Sequence, residues 1–593
     1  MNSKIKYLAL CSLIGLCSCD DLFEPAKENI KDVSSMYDEA TYADGILGDA
    51  YILLPYSSGV TSDVATDDAV TNDNSDSYRT MAIGSWTSQN DPMSQWRNRY
   101  AAIQFLNIFI ENADNVAWSR DGGVRAMFNN RLKGEAYGLR ALQMLYLLQA
   151  HGGVSVDGEL LGVPVYEMSL DGSSDFNIPR ASFAACIRKV FEDADMAIGL
   201  LPLDFGDIAD ISQIPDRYVE LGVQPDEYNR VFGNQVSGRM SGRIAEAIKA
   251  QAALLAASPA FNQASGVDWS DAADICASVL DRIGGPAGLD PQGHLWYLPD
   301  NVDRLAAGAN PDEIIWRASI GDADNTLEAA NFPPSLRGTG RVNPTQNLVD
   351  AFPTLSGYPI TDSRGGYDSD APYENRDPRL SAYVVFNGAT QGVNDDEIVT
   401  AVYGTNNDAI NREDGHSTRT GYYMRKLLRE DCNPHPTYNT KQKHYVKRIR
   451  YTEIFLAYAE AANEAWGPLS GGSHGYTAYD VIKAIRHRAG IGVDNDDAYL
   501  ESIKSDRDKM RELIRNERRI ELCFENIRFW DLRRWKAPLN ENACGVNITA
   551  ENGTMKYSRI EVEARNYRDY MYYGPIPYSE LLKFGALRQN QGW

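Results

Sequence analysis

Three places in the chain carry residue types that do chemistry at suggestive spacing. Gly471-Gly472-Ser473-His474-Gly475 is a literal G-x-S-x-G. A nucleophile elbow needs a strand before the serine and a helix after it. The preceding run, ending at Trp466, has a helical period instead, so the stretch reads as a Gly-rich loop between helices. Cys432, His435 and His444 are zinc-ligand types, but Pro434 and Pro436 mark a loop and no fourth ligand is evident. Asp67–Asp76 (DDAVTNDNSD) offers the oxygen ligands that calcium takes, without the EF-hand glycine and terminal Glu. It reads as a solvated or ligand-facing loop, and nothing in the sequence requires a cofactor. H-E-x-x-H, Walker A and G-x-G-x-x-G are absent. Carboxylates abound, but no pair is singled out for glycosidase work, since their separation is set by the fold.

What remains is recognition chemistry. Trp86 stands in a polar loop (IGSWTSQND), and Trp296 and Tyr297 stand in another (GHLWYLPDN). Aromatic faces pack on sugar C–H surfaces, while Asn, Asp and Arg side chains bond hydroxyls. Trp86, Trp296, Tyr297, Asp68, Asn72 and Arg79 are therefore the candidate ligand contacts. The competing reading is that the loop aromatics anchor their loops to a scaffold. Trp96, on a helical stripe, and Trp316, in a strand-like run, read as packing residues.

The elements that must position these residues are mostly helical. Apolar residues at steps of three and four predict helices over 36–54, 94–115, 127–150, 180–200, 242–257, 271–283, 451–466 and 476–489. Antiparallel pairs of such helices suggest a TPR-like scaffold, although the TPR consensus is not visible at its roughly 34-residue period. Residues 56–93 and 284–445 are dense in Gly, Pro, Asn and Asp, with short strands expected at 313–320 and 382–386. Loops this long inside a compact protein are usually functional or disordered.

One stretch organises the rest: residues 508–535, DKMRELIRNERRIELCFENIRFWDLRRW. Met510, Leu513, Ile520, Phe524 and Ile527 give one amphipathic face. Arg511, Arg515 and Arg519 form a like-charge ladder, and Glu517, Glu521 and Glu525 form another. Each same-sign pair weakens an isolated helix by a few tenths of a kcal/mol. The ladders are tolerable when cross-links such as Glu512–Arg515 and Arg518–Glu521 form, or when other elements supply partners.

The composition is globular: 43% hydrophobic and 10% aromatic over 593 residues. A net charge of −24 disfavours nucleic acid and anionic membrane surfaces as partners. At the N-terminus, Lys4 and Lys6 precede an apolar run over 7–16, a secretory signal too short to span a bilayer as a mature helix. Leu16-Cys17-Ser18-Cys19 resembles a bacterial lipobox, with Cys19 as the lipid acceptor of an outer-membrane anchor. Acidic residues follow, and 19–35 reads as a tether. Of the five further cysteines, 186, 276 and 523 lie in helical patterns and read as buried. Cys432 and Cys544 lie in loops where a pair is open.

ERRIELCFENIRFWDLRRW resembles the C-terminal hallmark of the SusD/RagB family of Bacteroidetes outer-membrane lipoproteins. Further resemblances fall in family order: LKGEAYGLRALQMLYLLQAHGGV (132–154), GVPV (162–165), RMSGRIAEAIKAQAALLAASPAF (239–261), NLVDAFPTLSGY (347–358), NRDPRL (375–380), RYTEIFLAYAEAANE (450–464), IRHRAGI (485–491), GPIP (574–577) and QNQGW (589–593). The resemblance implies a mainly α, SusD-like fold. Four TPR-like helix pairs form its scaffold, and loops and short β-strands form a ligand-facing side. It places a SusD-like N-terminal region over 36–230 and a RagB/SusD region over 231–593, packed as one body. It further implies a non-catalytic, surface-exposed lipoprotein that captures glycan for a SusC-like TonB-dependent transporter. RagB-like members, associated with peptide uptake, supply the alternative ligand, and a structural subunit of the transporter and a surface glycoside hydrolase are the further readings.

Overall fold

The computed structural model describes residues 32–593 apart from 304, 306–309, 404–405, 414 and 552–553. The signal segment, Cys19 and most of the tether lie outside the described residues. Among them, no helix is long and apolar enough to cross a membrane.

Eight helices build one half of the molecule: α1 (Ala40–Ile52), α2 (Trp96–Asn112), α3 (Gly122–His151), α4 (Phe183–Leu200), α5 (Gly242–Ala257), α6 (Trp269–Asp281), α7 (Tyr451–Trp466) and α8 (Ala478–Arg488). Each packs on the next in chain order, so the four expected pairs stack into a continuous scaffold. Starts are set locally: Asp121, Ser182, Ser241, Asp268 and Thr477 each accept a hydrogen bond from a first-turn backbone N–H. Close packing is helped by small residues. At Gly138 of α3, a Cβ would lie 2.6 Å from Met240 Cγ. Trp96 and Trp316 are packing residues, as expected.

The other half is loops tied by two-stranded antiparallel sheets. β1 (Ala69–Thr71) pairs with β3 (Val342–Pro344), β2 (Ile314–Arg317) with β4 (Lys447–Arg450), and β5 (Ala543–Glu551) with β6 (Thr554–Glu563). β2 and the short strand Val384–Val385 fall inside the expected ranges. The β5–β6 hairpin was not expected. Cys186, Cys276 and Cys523 are buried free thiols, and Cys432 and Cys544 are free as well, so the loop pair does not form. Gly471–Gly475 lies in the loop between α7 and α8, where His474 Nε2 pairs with Asp274 at 2.9 Å.

The organising stretch is not one helix. α9 (Arg507–Glu521) stops, and α10 (Arg528–Arg534) follows a turn with Phe524 and Asn526 at φ 62° and 61°. Cations hold this break. Lys426 Nζ donates to the carbonyls of Glu521 and Cys523 at 2.7 and 3.0 Å, and Arg450 Nη2 donates to Glu521 O at 2.6 Å. They satisfy carbonyls that a continuing helix would otherwise have bonded.

Candidate functional site

The site is built around this break. The Glu ladder of α9 meets cations from four other segments. Glu517 pairs with Arg379 at 2.9 Å and Arg486 at 2.7 Å. Glu521 pairs with Arg379 at 2.9 Å and Arg488 at 3.1 Å. Glu525 pairs with Lys426 at 2.7 Å, Lys447 at 2.8 Å and Arg450 at 2.9 Å. Burial pushes the Glu525 carboxyl up, but Arg450, Lys426 and Lys447 outweigh it and hold it well below the usual range. The Arg ladder also looks outward from its helix: Arg511 to Glu464, Arg519 to Asp67 and Asp68, and Arg515 over the Trp535 ring. Arg518 pairs with Asp531 of α10 at 2.7 Å, not with Glu521. The ladders are thus relieved by other elements. The expected Arg518–Glu521 cross-link loses to a better-placed carboxylate.

Asn526, in the turn, ties down the segment after α1. Its Oδ1 accepts from the backbone N–H of Thr61 and Ser62 at 2.7 and 3.1 Å, and its Nδ2 donates to Gly59 O at 2.9 Å. A left-handed residue with a side-chain amide does both jobs, and Asn is one of the few types that tolerates that backbone.

Between this turn, the scaffold and the β2–β4 pair lies a cavity of about 780 Å³. That volume suits a ligand of several rings. Its lining runs from exposed Ser57 and Ser58 to buried Leu255 and Phe524. α3 contributes Tyr146 and Gln149, α5 contributes Gln251, and α10 contributes Trp530. Tyr56 stands edge-on to Tyr146 and Trp316, with ring centroids 5.9 and 5.6 Å apart. The Arg448 guanidinium lies over Trp316, 4.6 Å from its centroid. Gln251 Nε2 donates to Glu453 Oε1 at 2.7 Å. Asp531 also lines the wall. Burial raises its carboxyl, but Arg518 and Arg534 outweigh this and keep it below the ordinary value, so it holds no proton to donate. The lining thus combines ring faces, amides and hydroxyls with charged groups, among them Lys447, Arg448, Glu453 and Arg518.

The sequence candidates fall into two groups. Trp296 and Tyr297 belong to the cavity wall, together with Tyr445, whose ring is 5.4 Å from that of Trp296. Both are buried in the loop-side core, 5% and 4% exposed, and so also anchor their loop. Trp86 does not: it is 3% exposed, its Nε1 donates to Asp91, and Phe529, Tyr567, Trp593 and the Arg533 guanidinium surround its ring. Asp68 is fully buried against Arg519. Asn72 Nδ2 donates to Thr339 O, Gly340 O and Ser417 O. Arg79 pairs with Glu563 at 2.6 Å. The start of the Asp/Asn tract is therefore a buried strand with ion pairs, not a solvated loop, because the Arg ladder needs its carboxylates. Tyr56, Tyr146 and Trp530 were missed. Tyr146 sits on a helical stripe, and Trp530 sits inside the hallmark, so both read as packing.

Metal-ligand types also converge, in a different set from the Cys432, His435 and His444 that the sequence offered and did not support. His435 is turned into its own loop, where Nδ1 accepts from Thr437 N at 3.0 Å. Glu328 takes its place: among the described residues, Glu328, Cys432 and His444 bring ligand atoms within 4.8 Å of one another.

Comparison with known proteins agrees with this architecture. The SusD family profile matches residues 312–593, and a second profile, described as "Starch-binding associating with outer membrane", matches 29–212. SusD-like protein P2 of Formosa agariphila is 31% identical over 142 residues, an alignment spanning 24% of either chain, so the chain matches about a quarter of that relative. A crystal structure of a SusD-like protein from Bacteroides fragilis NCTC 9343 superposes with a TM-score of 0.71 at 24% identity, covering 96% of this chain and 100% of that one. A SusD-like carbohydrate binding protein from the same strain gives 0.68 at 22% identity, covering 93% and 100%. Surface glycan-binding protein A from Bacteroides fluxus gives 0.56 at 17% identity, covering 94% and 99%. With both profiles in chain order and the same fold throughout, the chain belongs to the SusD family, a non-catalytic family of binding proteins.

Proposed function

We propose that this protein is a cell-surface glycan-binding lipoprotein, that the cavity beside the α9–α10 break holds the glycan, and that a SusC-like TonB-dependent transporter in the outer membrane receives it. The observation that carries the reading is the cavity's lining. Tyr56, Tyr146 and Trp530 offer partly exposed ring surface, Trp296 and Tyr297 form the more deeply buried wall behind it, and Gln149 and Gln251 offer amides, in a space large enough for an oligosaccharide. Glycan-binding members of the family with the same fold support it. Lipidation at Cys19 holds the protein at the membrane, which raises its effective concentration near a transporter. Trp86, Asp68, Asn72 and Arg79 act in this reading as supports for the loops and not as ligand contacts.

Isothermal titration of the purified protein against plant, host and microbial polysaccharides, with a peptide digest beside them, tests the proposal. A polysaccharide should bind, and Trp530→Ala or Trp296→Ala should weaken it by at least about tenfold, the scale of a lost anchor ring. Trp86→Ala, where it folds, should bind as wild type does. Binding of peptides with no response to any glycan would replace this reading with a peptide-uptake role. Glycan binding untouched by both cavity variants would move the site elsewhere.

A further inference from the structure

Glu328, Cys432 and His444 come from three segments that sequence distance separates and backbone pairing unites. β2 and β4 continue past their ends as Ala318 N to Val446 O at 2.8 Å and Gly321 N to His444 O at 3.1 Å, then as a bridge between Asp324 and Gln442. A second bridge, Asn433 with Thr440, folds the intervening loop back. Glu328 stands on the short helix Thr326–Asn331 that follows Asp324. Cys432 and His444 are thereby set against it from the two sides of the loop.

The polar atoms there are incompletely matched. Glu328 is fully buried. Its Oε1 accepts from Arg429 N at 2.8 Å and lies 3.0 Å from His444 Nε2. Its Oε2 is buried and receives no hydrogen bond of good geometry among the described residues. The Cys432 thiol lies against the Glu328 carboxylate; burial and that carboxylate push the thiol up, and its other contact is the Asp324 carbonyl at 3.7 Å. A fully buried carboxylate oxygen offered no more than a weak thiol donor gives up solvation worth on the order of 1–3 kcal/mol, so such a group calls for an explanation. The Arg429 guanidinium does not supply it, being engaged by Asp303 and Asp431.

We propose that Glu328, Cys432 and His444 form a binding site for a zinc-class divalent transition metal in the wall of the cavity. A thiolate and an imidazole select such an ion over calcium or magnesium, which take oxygen donors. A tetrahedral zinc with bonds of about 2.0–2.3 Å sets its ligand atoms roughly 3.3–3.7 Å apart. The three ligand atoms already lie within 4.8 Å, so side-chain adjustments of about an ångström close the site. Glutamate and thiolate together neutralise the ion's two charges, the thiol proton leaving to solvent on binding. Three protein ligands leave a fourth position open, and His444 also lines the cavity. The site does not depend on the cavity being the glycan site.

The test is cobalt titration of the purified, chelator-stripped full-length protein, followed by zinc competition. One equivalent should bind with intense visible bands of tetrahedral cobalt and a thiolate-to-cobalt charge-transfer band in the near ultraviolet. Zinc should displace both signals. Cys432→Ser should abolish the charge-transfer band, and Glu328→Gln should weaken binding by about 10–100-fold. His435→Ala should change neither. Circular dichroism of each variant checks the fold, and the wild-type spectrum needs no variant. Absence of stoichiometric cobalt binding by wild type, cobalt bound without a thiolate band, or an unchanged spectrum in Cys432→Ser would each overturn the proposal.

Discussion

In the helical half, neighbours meet mainly through apolar residues, with a smaller number of buried ion pairs such as Arg140–Asp193 within it and Arg486–Glu517 at its border with α9. Leu139, Leu142, Leu147 and Leu148 of α3 and Ile454 and Leu456 of α7 are buried in one continuous core. In the loop-rich half, the largest fully buried side chains include Arg379, Arg429 and Arg450. Short strands and loops bring few periodic apolar faces to pack. Directional ion pairs to α9 set their positions instead, each closing only in one geometry. A buried ion pair need not stabilise more than apolar packing, but removing one partner leaves a bare buried charge. The two halves should therefore fail differently.

Arg450→Met is the change expected to matter most. Arg450 meets Glu313 at 2.8 Å and Glu525 at 2.9 Å and bonds the carbonyl that ends α9. A loss of about 3–5 kcal/mol is expected in urea unfolding. A cost under about 1 kcal/mol would mean that packing, not charge, holds this half. Leu142→Ala in α3 opens a void in the scaffold and should cost about 2–5 kcal/mol, with little dependence on pH.

Acid should separate the halves without mutation. Glu521 and Glu525 are held below the ordinary value of 4.5: burial opposes this, and the surrounding Arg and Lys charges outweigh it. The unfolded state therefore takes up protons first. The stability they contribute is present above about pH 4.5 and lost as pH falls further. Hydrogen exchange between pH 5 and 3 should show protection falling in β2, β4 and the α9–α10 turn before α3 and α5. Simultaneous loss would erase the distinction. Asp63 gives a smaller effect of opposite sign. Burial pushes its carboxyl up to about 7 against the Asn526 N–H, which favours the anion. Its contribution is full below 3.8 and is lost as pH rises through 7. Asp63→Asn should flatten the decline in stability between pH 5 and 8 by roughly 2–3 kcal/mol, read from thermal unfolding.

The sequence made the scaffold legible because a helix's apolar period is local. α5 and α7 begin and end where their stripes do. The like-charge ladders of α9 signalled that partners would come from elsewhere, but not which ones. Arg379 lies on the six-residue helix Pro378–Tyr383, Lys426 in a loop and Arg450 at a strand end, elements too short for a period to mark a residue as buried. For the same reason Asp67 and Asp68 read as solvated. The β5–β6 hairpin did carry a signal that was passed over: Asn552-Gly553 is a strong two-residue turn pair between β-rich runs. The cavity was half legible. Trp296 and Tyr297 stood out as loop aromatics. Tyr146 and Trp530 carry the same periodic signal whether they face core or cavity, and the break at Phe524 that opens the space is set by cations distant in sequence.

The ties from Asn526 to Thr61 and from Arg519 to Asp68 join residues 465 and 451 positions apart. Contacts at such separation are costly to close and slow to form. At synthesis rates of about 5–20 residues per second, residues 59–68 wait tens of seconds for their partners. Helices α1 to α6 meet in chain order and can settle meanwhile, leaving Asp67 and Asp68 exposed as anions until α9 arrives. A chain ending between Arg488 and Arg519 would keep a stacked helical half and an unclosed acidic segment, so completion of the molecule is registered at its first hundred residues.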